Sequence, residues 1–306
     1  MLLTLKMEPN IAPVLWRTFR SRSYPDYSIA LDGFVYGPPK YDPKRRKINF
    51  NHHEKVDRMT TRATCSQVLV AIRQGLFSRF DRETLVWASD CDEDVCLSVF
   101  LLRHPKLVAR VMNSRLNRLV SIEGLLDSTA GAYPFPKHLK ALEELAWVFK
   151  PYRDFRLSGQ IEHKDAAEFT EIVDAVGRRI SQYLKRTNGR IPLDTRYDRI
   201  GGGEDWAMIR EIGAQGRTGA FNDGIRAYMS VRDRPDGRHT VSIGRMSIFV
   251  DFATWNICRH LNVIEGTARS ADRWGGADNI IGSPKKAGTK LSLEQIAWVI
   301  EKYKRS

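Results

Sequence analysis

The chain has 306 residues, of which 42% are hydrophobic and 28% are charged. These proportions are typical of folded globular proteins, and they exclude a chain that is disordered over most of its length. The formal net charge of +13 favours an anionic partner such as nucleic acid or a nucleotide, because a strongly basic surface attracts phosphate groups over long range. A solvated basic surface without such a partner is the alternative.

Hydropathy predicts a cytoplasmic protein with no membrane partner. The opening run MLLTLKMEPN is too short for the core of a signal peptide, and no run approaches the roughly 18 apolar residues of a membrane span. The four cysteines contain no C-x-x-C pair. We therefore expect buried free thiols, and neither a disulfide framework nor a zinc knuckle.

The N-terminal part of the chain alternates short β-rich runs with helical patterns. The β-rich runs are SIALDGF, KINF and TLVWAS, at residues 28–34, 47–50 and 84–89. A helix is expected to start at Thr64, with Gln67 completing a capping box. This alternation predicts an α/β fold with a mainly parallel sheet, followed by a helical section.

After the long helical pattern at residues 165–185, the sequence changes from mostly helical patterns to β-rich runs, which predicts two domains. The stretch 186–204 is rich in Gly, Arg and Pro and is expected to be a linker between a domain at 1–185 and a smaller α/β domain at 205–306.

The second domain carries three local signals. The runs AYMSVRD and HTVSIGRM flank the turn residues of 234–237 and predict a hairpin. Helices are expected at 251–261 and from Ser292, which forms a capping box with Gln295.

Residues that bind metals in other proteins follow each of the three N-terminal β-rich runs. They are Asp32 in the first, His52 and His53 after the second, and Asp90, Asp92 and Asp94 after the third. Ligands of open α/β sheets bind at the carboxyl ends of the strands, so we expect these side chains to lie close together. Clustered carboxylates repel one another unless a cation compensates, and Mn²⁺ or Mg²⁺ would do so. For the aspartates alone, a solvated helix N-terminus is the alternative.

These motifs resemble those of the DHH phosphoesterases, which include RecJ-like exonucleases, small-oligonucleotide hydrolases and cyclic-dinucleotide phosphodiesterases. NHHE looks like the Asp-His-His signature with Asn51 in its first position, and SDCDEDVCLS is similar to the RecJ-like motif of three alternating aspartates. ALDGF and LLDSTAGAYPF, which contain Asp32 and Asp127, resemble the second and fourth motifs. In the family the aspartate-rich motif comes first, whereas here it follows the histidines, so the order is circularly permuted.

The resemblance implies a two-metal phosphodiesterase that acts on nucleic-acid or nucleotide phosphoester bonds, as an exonuclease or a short-oligonucleotide hydrolase. The implied ligands of two Mn²⁺ or Mg²⁺ ions are Asp32, His52, Asp90, Asp92 and Asp127. A hydroxide between the ions would attack phosphorus. His53 would contact the substrate phosphate, and Asp94 and Asn51 would support the ligands.

A glycine-rich loop, RWGGADNIIGSPKKAGTKLS, is similar to the signature of the family's substrate-binding domain, although the histidine of that signature is absent here. The residues expected to bind substrate are Gly275, Gly276, Ser283, Lys285 and Lys286. Trp206 and Trp274, beside the two glycine clusters of the second domain, could stack a base or form ordinary packing. A hinge or a tight turn is the alternative for both glycine clusters.

Two further hypotheses stay open. Asn51 and the permuted order favour a nucleic-acid or nucleotide-binding protein on a DHH-like fold that has lost hydrolysis. A basic scaffold protein with coincidental clusters would bind no metal tightly.

Overall fold

The computed structural model describes residues 3–110 and 113–305, and its fold is mixed α/β, as predicted. The chain folds into two compact units: unit 1 (Met1–Ser128 and Lys140–Pro192) and unit 2 (Thr129–Leu139 and Leu193–Ser306). None of the helices in the described ranges has the length and apolar character needed to cross a membrane. All four cysteines are buried free thiols, as expected.

Unit 1 is built around a largely parallel sheet. Its strands are β1 (Leu3–Met7), β2 (Val14–Leu15), β3 (Ser28–Leu31), β4 (Val35–Tyr36), β5 (Lys40–Asp42), β6 (Lys47–Phe50) and β7 (Thr84–Ala88). Five of them form one sheet in the order β1-β7-β3-β6-β5, in which only β5 is antiparallel to its neighbour. The other two, β2 and β4, form a separate parallel pair.

Helices accompany this sheet. They are α1 (Trp16–Arg20), α2 (Thr64–Arg73), α3 (Glu93–Arg103), α4 (Pro105–Arg110), α5 (Ser114–Ser128), α6 (Lys140–Val148), α7 (Lys150–Leu157) and α8 (Ala166–Leu184). Helices α3 and α8 contact β1, and α2 contacts β6, α3 and α5. Asp165 caps α8 by accepting from the N–H groups of Ala167 and Glu168, so the long helix starts where the sequence predicts.

The central strand β3 is buried along its whole length because both of its faces are covered. Ala30 packs on one side into an aromatic cluster with Phe19 and Phe34. By strand alternation Ile29 and Leu31 point to the other side, where both are fully buried. A near-continuous apolar run is typical of a parallel strand in this position.

The start of α2 differs from the predicted capping box. Thr64 is the first helical residue, and the N-cap residue Ala63 makes no side-chain bond. The carboxylate of Asp94 caps the helix, accepting from the backbone N–H groups of Thr64 and Cys65 at 2.7 Å each. The local spacing was misleading because the cap comes from another helix, α3.

Unit 2 contains a mixed six-stranded sheet in the order β12-β13-β11-β10-β9-β8. The strands are β8 (Tyr197–Gly202), β9 (Ala207–Glu211), β10 (Ala227–Asp233), β11 (His239–Arg245), β12 (Gly275–Gly276) and β13 (Ile280–Gly282), and the helices are α9 (Gly216–Asn222), α10 (Thr254–Glu265) and α11 (Leu293–Tyr303). The β10–β11 hairpin and the Ser292–Gln295 capping box of α11 confirm the prediction. Helix α10 starts three residues later than the expected range of 251–261.

The segment 186–204, predicted to be a linker, includes the edge strand β8. Gly202, with φ +120°, ends this strand, and a Cβ there would lie 2.5 Å from the carbonyl oxygen of Trp206. Glycine is therefore needed for the close approach of two chain segments, which the sequence alone does not distinguish from a flexible loop.

Residues 129–139, predicted to belong to the first domain, are part of unit 2. Ala132 is buried in a cluster with Ile209 and Phe221. The unit boundary therefore falls inside the motif LLDSTAGAYPF, between Ser128 and Thr129.

Candidate metal centre

The three strands that carry the predicted ligands end at one edge of the unit 1 sheet. Strand β3 pairs in parallel with β7 on one side and β6 on the other. Asp32 therefore lies between the segment that follows β7, which contains Asp90, and the segment that follows β6, which contains His52. This arrangement of the strand ends is the one that the sequence predicts.

Asp32 is held at this edge by a tight turn. The φ angles of Asp32 and Gly33 are +45° and +80°, and the N–H of Phe34 donates to Leu31 across the turn at 3.0 Å. The N–H of Asp32 also donates to the carbonyl of Phe50 at 2.9 Å, which ties the turn to β6. A left-handed conformation is uncommon for residues other than glycine and is concentrated at functional sites.

His52 lies among three carboxylates. Its Nε2 is 2.5 Å from Asp127 Oδ2, 3.5 Å from Asp32 Oδ1 and 3.7 Å from Asp94 Oδ2. The imidazole is fully buried, yet among the described residues neither ring nitrogen has a partner in hydrogen-bonding geometry. Since buried polar atoms are nearly always bonded, this geometry fits a nitrogen and carboxylate oxygens that share a cation.

Within residues 3–110 and 113–305, two groups of side chains have ligand atoms within 4.8 Å of one another, and they share His52. One group adds Asp32 and His53, whose Nε2 is 2.9 Å from Asp32 Oδ1. The other adds Asp94 and Asp127. Imidazole nitrogen with carboxylate oxygen is a donor set that suits Mn²⁺ and similar ions.

Asp90 and Asp92 are outside these two groups. Burial raises the pKa of Asp92 well above its ordinary value, and the charges of Asp32 and Asp90 raise it further. Asp92 Oδ1 accepts from the N–H of Val95 at 2.9 Å and so caps α3. Asp92 is therefore a helix cap, which is the role that the sequence left open for the aspartates. The neighbouring acids Asp32 and Asp90 still raise its pKa.

The ionisation of the cluster is strongly perturbed. Burial raises the pKa of Asp32, but the charge of His53 and contacts with both histidines hold it well below its ordinary value. Burial lowers the pKa of His52, but contact with Asp127 and Asp32 raises it to about 10. Burial and the charge of Asp127 raise the pKa of Asp94 to about 7. The carboxylates therefore retain positive charge on the imidazoles, and a divalent cation would replace that charge.

Asn51 organises the histidine segment through backbone groups and Glu54. Its Nδ2 donates to the carbonyl of Gly37 at 2.8 Å and to Glu54 Oε2 at 2.7 Å. Its Oδ1 accepts from the N–H of His53 at 3.1 Å. These bonds position His53 through the backbone.

Glu123 is an acidic neighbour that the sequence analysis missed. It is 3% exposed, and its Oε2 has no hydrogen-bond partner in the described part of the chain. Burial raises its pKa well above its ordinary value, and the charges of Glu93 and Asp127 add to this effect. The i, i+4 spacing of Glu123 and Asp127 on α5 is the signal that could have identified it.

The expected substrate-binding glycines of unit 2 have structural roles. Gly275 and Gly276 form β12 and pair with β13, and a Cβ on Gly276 would lie 2.2 Å from the carbonyl oxygen of Ile280. Ser283 is buried, and its Oγ accepts from the N–H of Val241 at 3.0 Å. These three positions serve the sheet.

In the same loop, backbone N–H groups are hydrogen-bonded within the loop, whereas the lysine side chains are free to contact a ligand. The N–H groups of Lys286 and Ala287 donate to the carboxylate of Asp272, at 3.2 Å and 2.9 Å. Those backbone donors are therefore engaged within the loop. The side chains of Lys285 and Lys286 are exposed and face solvent.

The rings of Trp206 and Trp274 are buried. They are 3% and 1% exposed, within the core of unit 2. Their indole N–H groups donate to Glu301 and Glu265, each at 2.6 Å. Ordinary packing, the alternative given by the sequence, is what the structure has.

No family model matches the chain, and no curated protein matches it. Among solved structures, it is similar to an uncharacterized protein from Helicobacter pylori G27, at 11% sequence identity. The alignment covers 90% of this chain and 99% of that one, with a TM-score of 0.20. A likeness at this level supports no argument about fold or function, so the functional interpretation depends on the geometry of the site.

Proposed function

We propose that unit 1 binds divalent cations, Mn²⁺ or Mg²⁺ and two in number, and hydrolyses phosphoester bonds of nucleic acids or nucleotides. The observation that carries the proposal is the environment of His52. A fully buried imidazole without directed hydrogen bonds lies within 3.7 Å of three carboxylates from different parts of the chain. Packing alone does not account for such a concentration of buried charge, because buried acids are costly unless they are paired.

Asp32, His52, Asp94 and Asp127 would hold the cations, and Asp90 and Asp92 would lie beside them, where a bound cation favours their charged forms. When bound, divalent cations supply a water of lowered pKa and neutralise charge at phosphorus.

His53 is suited to contact the substrate. Its side chain is 33% exposed, in contrast to the buried His52. Burial lowers the pKa of His53, but the charge of Asp32 outweighs this effect and raises the pKa, which favours the imidazolium form. An imidazolium at the rim of the site would donate to a phosphoryl oxygen as negative charge develops there.

Besides holding a cation, Asp94 would position neighbouring residues, and so would Asn51. Asp94 joins α3 to the start of α2, and the hydroxyl of Thr64 in turn donates to Asp32 Oδ1 at 2.9 Å. Movement of α2 would therefore displace Asp32. Asn51 fixes the backbone of His53.

Nucleic acid or nucleotide is the proposed partner because the chain carries a net charge of +13. In unit 2, Lys285 and Lys286 present exposed side chains that would contact phosphate. The proposed division of labour is catalysis by unit 1 and substrate binding by unit 2, in the cytoplasm.

A second candidate is a nucleic-acid or nucleotide-binding protein that does not hydrolyse its ligand. The observation in its favour is the helix capping by Asp92 and Asp94. These roles would preserve both acids in a protein without catalysis.

Calorimetric titration with Mn²⁺, followed by Mn²⁺-dependent release of nucleotide, tests the proposal. The substrate panel is single-stranded DNA, single-stranded RNA, short oligonucleotides and cyclic dinucleotides. His52→Ala and Asp127→Asn should lose metal binding and activity, whereas Asp81→Asn, at an exposed position on the same unit, should retain both. Absence of Mn²⁺ binding by the folded wild-type protein would overturn the proposal. Tight Mn²⁺ binding without turnover of any substrate would favour the second candidate.

A further inference from the structure

Helices α10 and α11 of unit 2 present a continuous aromatic surface, made of His260, Trp298 and Tyr303. The rings of His260 and Tyr303 are stacked, with centroids 3.4 Å apart and planes 11° from parallel. The ring of Trp298 meets Tyr303 edge to face at 6.4 Å. These contacts join the two helices through their rings, and the indole of Trp298 is left 53% exposed.

The core of unit 2 does not account for this exposure. Ile296, Val299 and Ile300 of α11 are completely buried, so the helix already contributes a full apolar face to the core. Trp298 lies between these positions in sequence and projects away from them. An indole is usually largely buried, and an exposed one that adjoins other aromatic rings is typical of a binding surface.

A cation lies over the same surface. Lys302 Nζ is 4.7 Å from the ring centroid of Trp298 and 5.4 Å from that of Tyr303. Arg259, next to His260 in α10, is also exposed. Two residues after Lys302, Lys304 contacts the carboxylates of Asp205 and Glu301. Those acids are thus compensated by another lysine, and the aromatic surface keeps a positive charge.

We infer that the aromatic surface binds single-stranded nucleic acid by stacking bases on Trp298 while Lys302 contacts the phosphate backbone. This inference rests on the proposed function and narrows its substrate class to single strands. Base stacking on aromatic rings beside a cation is the usual way to bind single strands without sequence preference. A duplex keeps its base faces stacked inside, so this surface would discriminate against it.

A second copy of the chain is the competing occupant of an exposed aromatic surface. The charge argues against it, because two copies with a formal net charge of +13 each repel one another. A polyanion is attracted by the same charge.

Fluorescence anisotropy with a labelled oligonucleotide of about 20 thymidines, at low salt and in EDTA, tests the inference on the full chain. Trp298→Ala should weaken binding by about fivefold or more, and Trp298→Phe should restore most of the affinity because a ring returns. Lys302→Gln should reduce the slope of log affinity against log salt concentration by slightly less than one, because one phosphate contact is lost. Trp255→Ala is the matched control, since Trp255 is 49% exposed on α10 and is outside the aromatic surface; its affinity should equal that of wild type.

Unchanged affinity of Trp298→Ala, or an equal loss in Trp255→Ala, would overturn the inference. Equal affinity of the wild-type protein for a duplex of the same length would also overturn it. Sedimentation of the wild type as a dimer that Trp298→Ala dissociates would assign the surface to self-association instead. EDTA removes hydrolysis from the binding assay, so a negative result there does not contradict the metal centre. Likewise, failure of the protein to bind Mn²⁺ would not contradict the binding of single strands by the aromatic surface.

Discussion

Replacing Asp94 with alanine tests whether the acidic cluster also holds helix α2 in place. Asp94 is 1% exposed, and its two oxygens accept from the N–H groups of Thr64 and Cys65 at 2.7 Å each. A capping bond is typically worth about 1 kcal/mol, and a buried donor left without an acceptor adds to the loss. Removing the Asp94 carboxylate also relieves its repulsion with Asp127, which offsets part of this loss. Burial and the charge of Asp127 already raise the pKa of Asp94 to about 7. We expect the free energy of unfolding to fall by about 2 kcal/mol.

Urea unfolding in EDTA, followed by circular dichroism, measures this loss without a contribution from metal binding. Hydrogen exchange adds a local readout, since the amides of Thr64 and Cys65 should lose protection first. Asp81→Ala, at an exposed position of unit 1, is the matched control and should match wild type. A change below about 0.5 kcal/mol in Asp94→Ala, or unchanged protection of the two amides, would refute the capping role.

Three other predictions concern stability. Lys47→Met should lower the free energy of unfolding by about 3 kcal/mol, measured with urea, because the buried Nζ donates to the carbonyls of Phe19, Ser21 and Tyr24 at 3.0, 2.7 and 2.7 Å. Gly33→Ala should cost about 1 kcal/mol in the same assay, because φ is +80° at that position. Contact with Lys304 lowers the pKa of Glu301 and also, against the effect of burial, the pKa of Asp205. Both carboxylates therefore stabilise the fold at pH values above their unfolded pKa values. This stabilisation is lost as the pH falls through the lower pKa values of the folded state. Thermal melts should therefore show the wild type losing stability below about pH 4, a loss that Lys304→Met should reduce and Lys290→Met should leave unchanged.

The strands that carry the site could be predicted because their signals are local. Strands β3, β6 and β7 are short apolar runs that end at polar residues, and helix α8 starts at its own capping aspartate. Strand β8 lacks such a signal. Most of its residues are exposed, and it is a strand because β9 pairs with it through a bulge. Its glycines therefore indicated a loop until the pairing was known.

The site shows the same division. Asp32 and His52 could be placed together because parallel strands bring their carboxyl ends to one edge. The cap that Asp94 provides could not, because it joins residues 30 positions apart whose approach depends on the packing of α2 on α3. The burial of Trp206 and Trp274 is likewise a property of the assembled core. Sequence identifies which residues can bind a ligand, whereas packing decides which of them remain accessible.

Asn51 shows how packing changes the meaning of a motif. In the DHH pattern this position is an aspartate, and its absence suggests a lost carboxylate. Here the side-chain amide donates to the carbonyls of Gly37 and Val35, at 2.8 and 3.3 Å, and to Glu54. An aspartate would place a negative charge against two carbonyl oxygens and a second carboxylate, and it would have no proton to donate. Asparagine is therefore the residue that this turn requires, and its presence does not count against a metal centre built from Asp32, His52, Asp94 and Asp127.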